Sequence, residues 1–131
     1  MSFQDTWALS YTQSPGAQVV STSITLTANS QQNTDLLVNA NSEVRANVSI
    51  IKADIQSMLL YCDQSITLKT NSSSAPQDSL NVQANVPYVW TVNTASIFAC
   101  PFSNNVTAIF VNTAAVVNVQ SNFKLRLIAN N

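Results

Sequence analysis

The sequence contains no histidine and few charged residues of either sign. Five Lys and Arg residues and six Asp and Glu residues make up 8% of its 131 residues. Histidine is the side chain that most often moves protons near neutral pH, so its absence argues against acid–base catalysis. Phosphate binding needs a basic patch, and Arg45, Lys52, Lys69, Lys124 and Arg126 form no run. We therefore expect neither an enzyme nor a nucleic-acid-binding protein.

Signals for metal binding, membrane insertion and export are missing as well. Two cysteines and no histidine cannot supply the nitrogen and sulfur ligands that zinc prefers, so we expect no metal and no cofactor. No apolar run approaches the roughly 20 residues of a membrane span. Residues 1–5 contain no basic or apolar signal segment. We expect synthesis in a cytoplasm, with Cys62 and Cys100 as free, buried thiols.

Uncharged polar residues dominate instead: 16 Asn, 17 Ser, 12 Thr and 10 Gln. The chain is nevertheless 46% hydrophobic with a net charge of −1, which is not the composition of a disordered protein. Its length suits one domain with a real core. A net charge near zero gives little repulsion between molecules, which suits a protein that works packed against neighbours.

Apolar and polar residues alternate along most of the chain, as in Val44, Ala46, Val48 and Ile50. This period of two predicts strands with one buried face. Short strands between Asn-, Ser- and Pro-rich turns predict an all-β fold, an antiparallel β-sandwich or jelly roll, as a single domain over residues 1–131. Residues 1–17 are expected to form either an extended N-terminal arm or a core strand. Because Gly16 is the only glycine, Asn should fill the turn positions with positive φ.

Some segments are apolar on both faces. They are Leu36, Leu37 and Val38, residues 55–62, residues 109–111 and, more weakly, residues 114–119. Such strands lie at the centre of a sandwich or are covered by a partner chain. For residues 50–61 an amphipathic helix is the alternative, since Ile51, Ile55 and Met58 have helical spacing.

Few residues are candidates for chemistry. Asp54 and Asp63 flank an apolar segment, and we expect them to mark strand ends at the surface. An enzyme would need a cleft that gathers several of Glu43, Asp54, Asp63 and Asp78. Cys100 has no cation or histidine near it in sequence, which predicts a structural thiol.

Four aromatic side chains, Trp7, Tyr11, Tyr88 and Trp90, offer a second kind of candidate site. Exposed aromatics would stack on sugar rings, whereas aromatics on alternating strands more often belong to a core or an interface. An exposed Trp90 would favour sugar binding, and a buried Trp90 would disfavour it.

A resemblance to a known family rests on residues 65–119. A strand at residues 65–72 leads into a Ser, Pro and Asp loop, residues 80–90 follow, and Phe98-Ala99-Cys100-Pro101-Phe102 precedes an apolar strand at residues 106–112. In this pattern the chain resembles the jelly-roll cement (decoration) proteins of tailed-bacteriophage capsids, most of all those of short-tailed Bordetella phages. The family brings no active-site residues.

The resemblance implies a structural virion protein on the capsid exterior, made in the host bacterial cytoplasm. It would bind major capsid subunits of the HK97-like fold, as a homodimer, and cement neighbouring subunits. A receptor- or carbohydrate-binding domain of a phage tail or fibre is the alternative.

We expect a subunit interface built from the arm and from two of the double-sided segments. Its candidate residues are Phe3, Trp7, Leu9, Leu36, Leu37, Val38, Leu59, Leu60 and Tyr61. If the double-sided segments form the sandwich interior instead, we expect residues 2–13 to form the interface.

Overall fold

A computed structural model describes residues 2–13, 15–16, 19–113 and 120–131. The strands of these residues, in chain order, are β1 (Phe3–Thr12), β2 (Val19–Ala28), β3 (Ser30–Val38), β4 (Glu43–Ile50), β5 (Ile55–Cys62), β6 (Ile66–Thr70), β7 (Ser79–Val82), β8 (Tyr88–Thr91), β9 (Val106–Thr113) and β10 (Ser121–Ala129). Short 3₁₀ turns span Lys52–Asp54 and Val92–Thr94. The apolar segment at residues 114–119 lies outside the described residues. In the described ranges no helix is long and apolar enough to cross a bilayer.

The predicted all-β fold is confirmed, and burial follows the predicted period. Along β4 the side chains alternate between exposed and half-buried, and along β10 they alternate between buried and exposed as far as Leu125. Residues 55–62 form β5 rather than a helix. Both edges of β5 are hydrogen-bonded, one to β10 and one to β8, and this pairing outweighs the helical spacing of its apolar residues.

Strands β3 to β10 form two antiparallel sheets. The order is β3-β10-β5-β8 in one, here called the front sheet, and β4-β9-β6-β7 in the other, the back sheet. The chain doubles back at the β6–β7 hairpin, so that β5 pairs with β8, β4 with β9 and β3 with β10. Successive pairs fall alternately in the two sheets, which is the topology of a jelly roll.

The space between the sheets holds one apolar core. Met58, Leu60 and Phe123 reach it from the front sheet, and Leu68 and Val111 from the back sheet. All five are completely buried. Burying a side chain of this size stabilises the fold by about 1.5–3 kcal/mol, so the core needs no disulfide or metal to support it.

Asparagine takes the place of glycine in the turns. Asn41, Asn71 and Asn85 have φ values of 52°, 67° and 61°, and Gly16 has a φ of 120°. The short amide side chain of Asn tolerates this region better than other residues with a Cβ. The predicted use of Asn at positive φ is confirmed at these positions.

Candidate functional site: an amphipathic hairpin arm

Strands β1 and β2 form a hairpin that joins neither sheet. They pair antiparallel without a bulge, from Phe3 opposite Ala28 to Thr12 opposite Val19. We call this unit the hairpin arm. The N-terminal strand is therefore not a single extended tail, because it is held by the strand that follows Gly16.

The hairpin arm is amphipathic. Residues directly opposite each other point to the same side of a two-stranded sheet, so the register defines two faces. One face, here called the apolar stripe, consists of Phe3, Trp7, Leu9, Tyr11, Val20, Ile24, Leu26 and Ala28, interrupted by Asp5 and Thr22. The other face carries Gln4, Thr6, Ala8, Ser10, Ser21, Ser23, Thr25 and Thr27, with Thr12 and Val19 at its end.

The inner half of the apolar stripe packs on the outside of the front sheet. Leu26 and Ala28 form a small buried cluster with Ile128 of β10, and Phe3, Trp7 and Ile24 pack against it. The indole nitrogen of Trp7 donates a hydrogen bond of 2.9 Å to the buried hydroxyl of Ser57. Ser57 lies opposite Ile128 in the sheet. The arm is thus fixed at its base by packing and by one hydrogen bond.

None of the described residues packs on the outer half of the apolar stripe. Leu9, Tyr11 and Val20 are 54%, 61% and 63% exposed, although they continue the same face as Trp7 and Ile24. Exposed apolar patches of this kind are typical of surfaces that contact another molecule.

The edges of the hairpin arm lack the usual protection against pairing. Among the strands that the structure describes, β1 and β2 pair only with each other, which leaves an outer edge on both. Natural edge strands are blunted by Lys, Pro or bulges. Neither β1 nor β2 contains any of these, and their single charged residue is Asp5.

The described residues include other large apolar side chains that are exposed. Outside the hairpin arm they are Leu37, Ile51, Val86, Tyr88, Val89, Val92, Ile97 and Phe98. Leu37, Tyr88 and Val89 belong to front-sheet strands, and most of the others flank β8. No large exposed apolar side chain belongs to a described strand of the back sheet.

The outer face of the back sheet is polar and charged instead. Lys69 Nζ lies 3.7 Å from Glu43 Oε2, and the guanidinium of Arg45 lies 5.7 Å from the centre of the Phe110 ring. Hydrogen bonds from Ser73 and Asn112 hold the pKa of Glu43 below its ordinary value. The outer face of the front sheet is charged as well, because Arg126 Nη1 lies 2.8 Å from Asp35 Oδ1 there.

The structure separates the predicted interface residues into groups. Val38 and Leu60 are fully buried in the sandwich core, and Leu36 packs against that core. They are not available to another chain in this fold. Phe3 and Trp7 hold the base of the hairpin arm, and Leu9 lies on its exposed half.

The remaining candidates lie on the outer face of the front sheet. Leu37 is exposed, whereas Leu59 and Tyr61 are half-buried, and the hydroxyl of Tyr61 donates to Asn85 Oδ1 at 2.9 Å. The arm at residues 2–13, with β2 beside it, is thus the main exposed part of the predicted interface.

The carboxylates do not come together. Asp54 precedes β5 and Asp63 follows it, so the length of this strand, roughly 25 Å, separates them. Asn122 donates from its backbone nitrogen (2.7 Å) and from Nδ2 (2.9 Å) to Asp63, and these bonds hold the pKa of Asp63 below its ordinary value. Asp78 accepts a bond of 2.9 Å from the Ser103 backbone. Among the described residues no group of three or more His, Cys, Asp or Glu could hold a metal ion.

Both cysteines are free thiols. Cys62 is buried in the core and Cys100 is half-buried, and burial raises the pKa of each. A raised pKa leaves little thiolate near neutral pH, which is typical of structural rather than reactive cysteines.

Two of the four aromatic candidates for sugar stacking are committed to contacts within the protein. Trp90 is only 6% exposed, and its indole nitrogen donates to the backbone oxygen of Phe98 at 3.0 Å. Trp7 is committed to the base of the hairpin arm. Tyr11 and Tyr88 are exposed, but they lie on different elements.

Sequence reasoning missed the exposed apolar residues around β8, notably Ile97 and Phe98. The available signal was an apolar pair in a segment without alternation, between Ser96 and Pro101. A search of family models, of curated proteins and of solved structures found no match to this chain.

Proposed function

We propose that this protein is a structural virion protein that binds the outer surface of an icosahedral phage capsid and cements neighbouring major capsid subunits. The hairpin arm is its docking element. The major capsid protein of the HK97-like fold is the proposed partner, and a homodimer is the proposed form on the shell.

The observation that carries the proposal is the uncovered half of the apolar stripe. Leu9, Tyr11 and Val20 expose apolar surface on a hairpin whose base is already fixed to the body. Docking would bury this surface at roughly 25 cal/mol per Å² without removing any charge from water. Because the arm is folded before contact, little conformational entropy is lost on binding.

The placement of the hairpin arm supports a role at a shell surface. A protein that lies on a capsid needs one side for the shell and one for the solvent. Here the hairpin arm packs on the outside of the front sheet, which leaves the outer face of the back sheet, with Glu43, Arg45 and Lys69, for the solvent. Modest contacts repeated over many copies would add up to a stable coat.

The free edges of β1 and β2 give a second mode of attachment. An extended segment of a capsid subunit, or the β1 strand of a second copy, would add to either edge through backbone hydrogen bonds. This mode needs no charged side chains, which agrees with the composition of the chain.

Co-sedimentation with expanded empty shells of the parent phage tests the proposal. We expect saturable binding at a fixed ratio to the major shell subunit. A variant with Leu9→Ser, Tyr11→Ser and Val20→Ser should fold and lose binding, because these residues lie on the exposed half of the apolar stripe. A matched variant with Ser10→Thr and Ser21→Thr, on the polar face of the same hairpin, should bind like the wild type.

Two results would overturn the proposal. One is a well-folded wild-type protein that does not bind the shells. The other is a stripe variant that binds as tightly as the wild type, which would place the contact elsewhere.

A further inference from the structure

A second candidate site shares no residue with the apolar stripe. It is an open cleft of about 910 Å³ between three loops. These loops contain the 3₁₀ turn at Lys52–Asp54, residues 71–77 and residues 92–105. The volume is in the range of small-molecule sites, roughly 300–1,000 Å³.

The cleft has an apolar floor and an amide-rich rim. Ile55, Trp90, Val92 and small alanines supply the floor and one wall. Asn71, Gln77, Asn104 and Asn105 supply the opposite rim, with Lys52 beside them. The lining contains one cation and no carboxylate, so the cleft suits a ligand that is neutral or carries one negative charge.

Hydrogen bonds hold the loops of the cleft together. Asn71 Oδ1 accepts from the Thr107 backbone at 2.8 Å, and Asn71 Nδ2 donates to the Asn105 backbone oxygen at 2.9 Å. The Lys52 backbone donates to Asn105 Oδ1 at 3.0 Å, and Ser103 is tied to Asp78. The rim is therefore organised before any ligand arrives, which lowers the entropy lost on binding.

Polar groups remain free on this organised rim. Within the described ranges, Gln77 Nε2, Asn105 Nδ2 and Asn104 Oδ1 make no hydrogen bond to the protein. Lys52 Nζ makes one bond, to the Ser103 backbone at 3.3 Å, and keeps two donors. Asn71, by contrast, is fully occupied in holding the loops.

We propose that this cleft binds a short saccharide. Amide groups that donate and accept side by side match hydroxyl groups, which also do both. Trp90 is too buried to stack on a sugar ring, so the apolar C–H groups of the sugar would lie on the exposed side chains of Val92, Ala95 and Ala99 instead. The ammonium group of Lys52 would donate to a carboxylate on an acidic sugar, but a neutral sugar also fits the cleft. This site is independent of capsid binding, and both activities fit on one molecule.

Screening the purified protein against a panel of neutral and sialic-acid- or uronate-containing oligosaccharides tests the proposal. Ala99 lines the cleft and is exposed, so Ala99→Trp should fill the site without disturbing the core. We expect this variant to weaken binding at least about tenfold, or 1.4 kcal/mol. The control Ala8→Trp adds the same ring on the polar face of the hairpin arm, where it should leave saccharide binding unchanged.

A native thiol gives a second readout. Cys100 lines the cleft, whereas Cys62 is buried in the core. A bound saccharide should slow alkylation of Cys100 by iodoacetamide and leave Cys62 unmodified. The proposal is overturned if no saccharide binds the folded protein, or if Ala99→Trp binds as well as the wild type. The Ala99→Trp variant should still co-sediment with shells, so failure here does not affect the proposed structural role.

Discussion

The indole nitrogen of Trp7 and the hydroxyl of Ser57 are joined by a 2.9 Å hydrogen bond between the hairpin arm and the front sheet. Ser57 is completely buried, and this bond is the one that the structure gives its hydroxyl. The pair therefore links the position of the arm to the packing of the sheet beneath it.

Removing either partner should loosen the arm. We expect Trp7→Phe to cost about 1–3 kcal/mol, since it leaves a buried hydroxyl without its partner. Ser57→Ala should cost less, because the indole nitrogen can turn to water. A double-mutant cycle from urea denaturation should give a coupling energy of about 1 kcal/mol. Additive effects of the two substitutions would show that the bond contributes nothing.

Replacing a leucine by aspartate should cost much more stability in the core than on the surface. Leu60→Asp places a carboxylate in the sandwich core, where Leu60 is fully buried, and should unfold the domain or cost more than about 4 kcal/mol. Leu37→Asp, on the exposed outer face of β3, should cost less than about 1 kcal/mol. Circular dichroism and thermal melting distinguish the two outcomes. A folded Leu60→Asp variant would contradict the placement of β5.

Replacing two asparagines at positive φ by glycine should change stability by different amounts. Asn41→Gly relieves the backbone without removing a side-chain hydrogen bond of the described structure, and should change stability by less than about 1 kcal/mol. Asn71→Gly loses the bonds to Thr107 and Asn105 and should cost about 2 kcal/mol. Chemical denaturation of both variants is the measurement. Equal effects would mean that the Asn71 side chain does not support the loops.

Acid should destabilise the protein partly through Asp63. Hydrogen bonds from Asn122 lower the pKa of Asp63 in the folded state, so the unfolded state takes up the proton first as the pH falls. The stability from this group is complete above its unfolded-state pKa of about 4 and is lost as the pH drops through the folded-state pKa. As the pH falls below about 4, Asp63→Asn should therefore show a flatter decline of unfolding free energy than the wild type. Superimposable pH profiles would rule out this contribution.

The two thiols should differ in how fast they react with iodoacetamide. Cys100 is half-buried and should react slowly with iodoacetamide in the native protein, faster as the pH rises, because burial raises its pKa. Cys62 should react only after unfolding. Peptide mass spectrometry at several pH values resolves the two sites. Modification of Cys62 at the rate of Cys100 would indicate that the core opens locally.

The period of two was sufficient to predict an all-β sandwich, because alternation directly reports which side of a strand is buried. It also identified β5 as double-sided. The structure shows why both faces of β5 are covered: Met58 and Leu60 face the core, while Ser57 on the other side lies under the hairpin arm. Alternation does not say which apolar surface a strand meets. Residues 19–28 therefore have the pattern of a core strand, although their apolar side packs on the outside of the sandwich or faces water.

The candidate sites were harder to predict. Leu9 was identified, but Val20 was not, because only the register of the hairpin places it beside Tyr11 on one face. The cleft depends on loops that are distant in sequence. Asn71 and Asn105 meet through a side-chain hydrogen bond, and no local pattern encodes that contact.

Strand β10 lies between β3 and β5, and Asn29 at the root of the hairpin arm is hydrogen-bonded to Asn130 and Asn131. Until the ribosome has made β10, β3 has no partner strand in its sheet, and the arm lacks Ile128, against which its apolar residues pack. The front sheet therefore closes only after all the other described strands have been made. The hairpin arm takes its full position on the sheet only after translation has passed β10, although its own two strands are the first to be made.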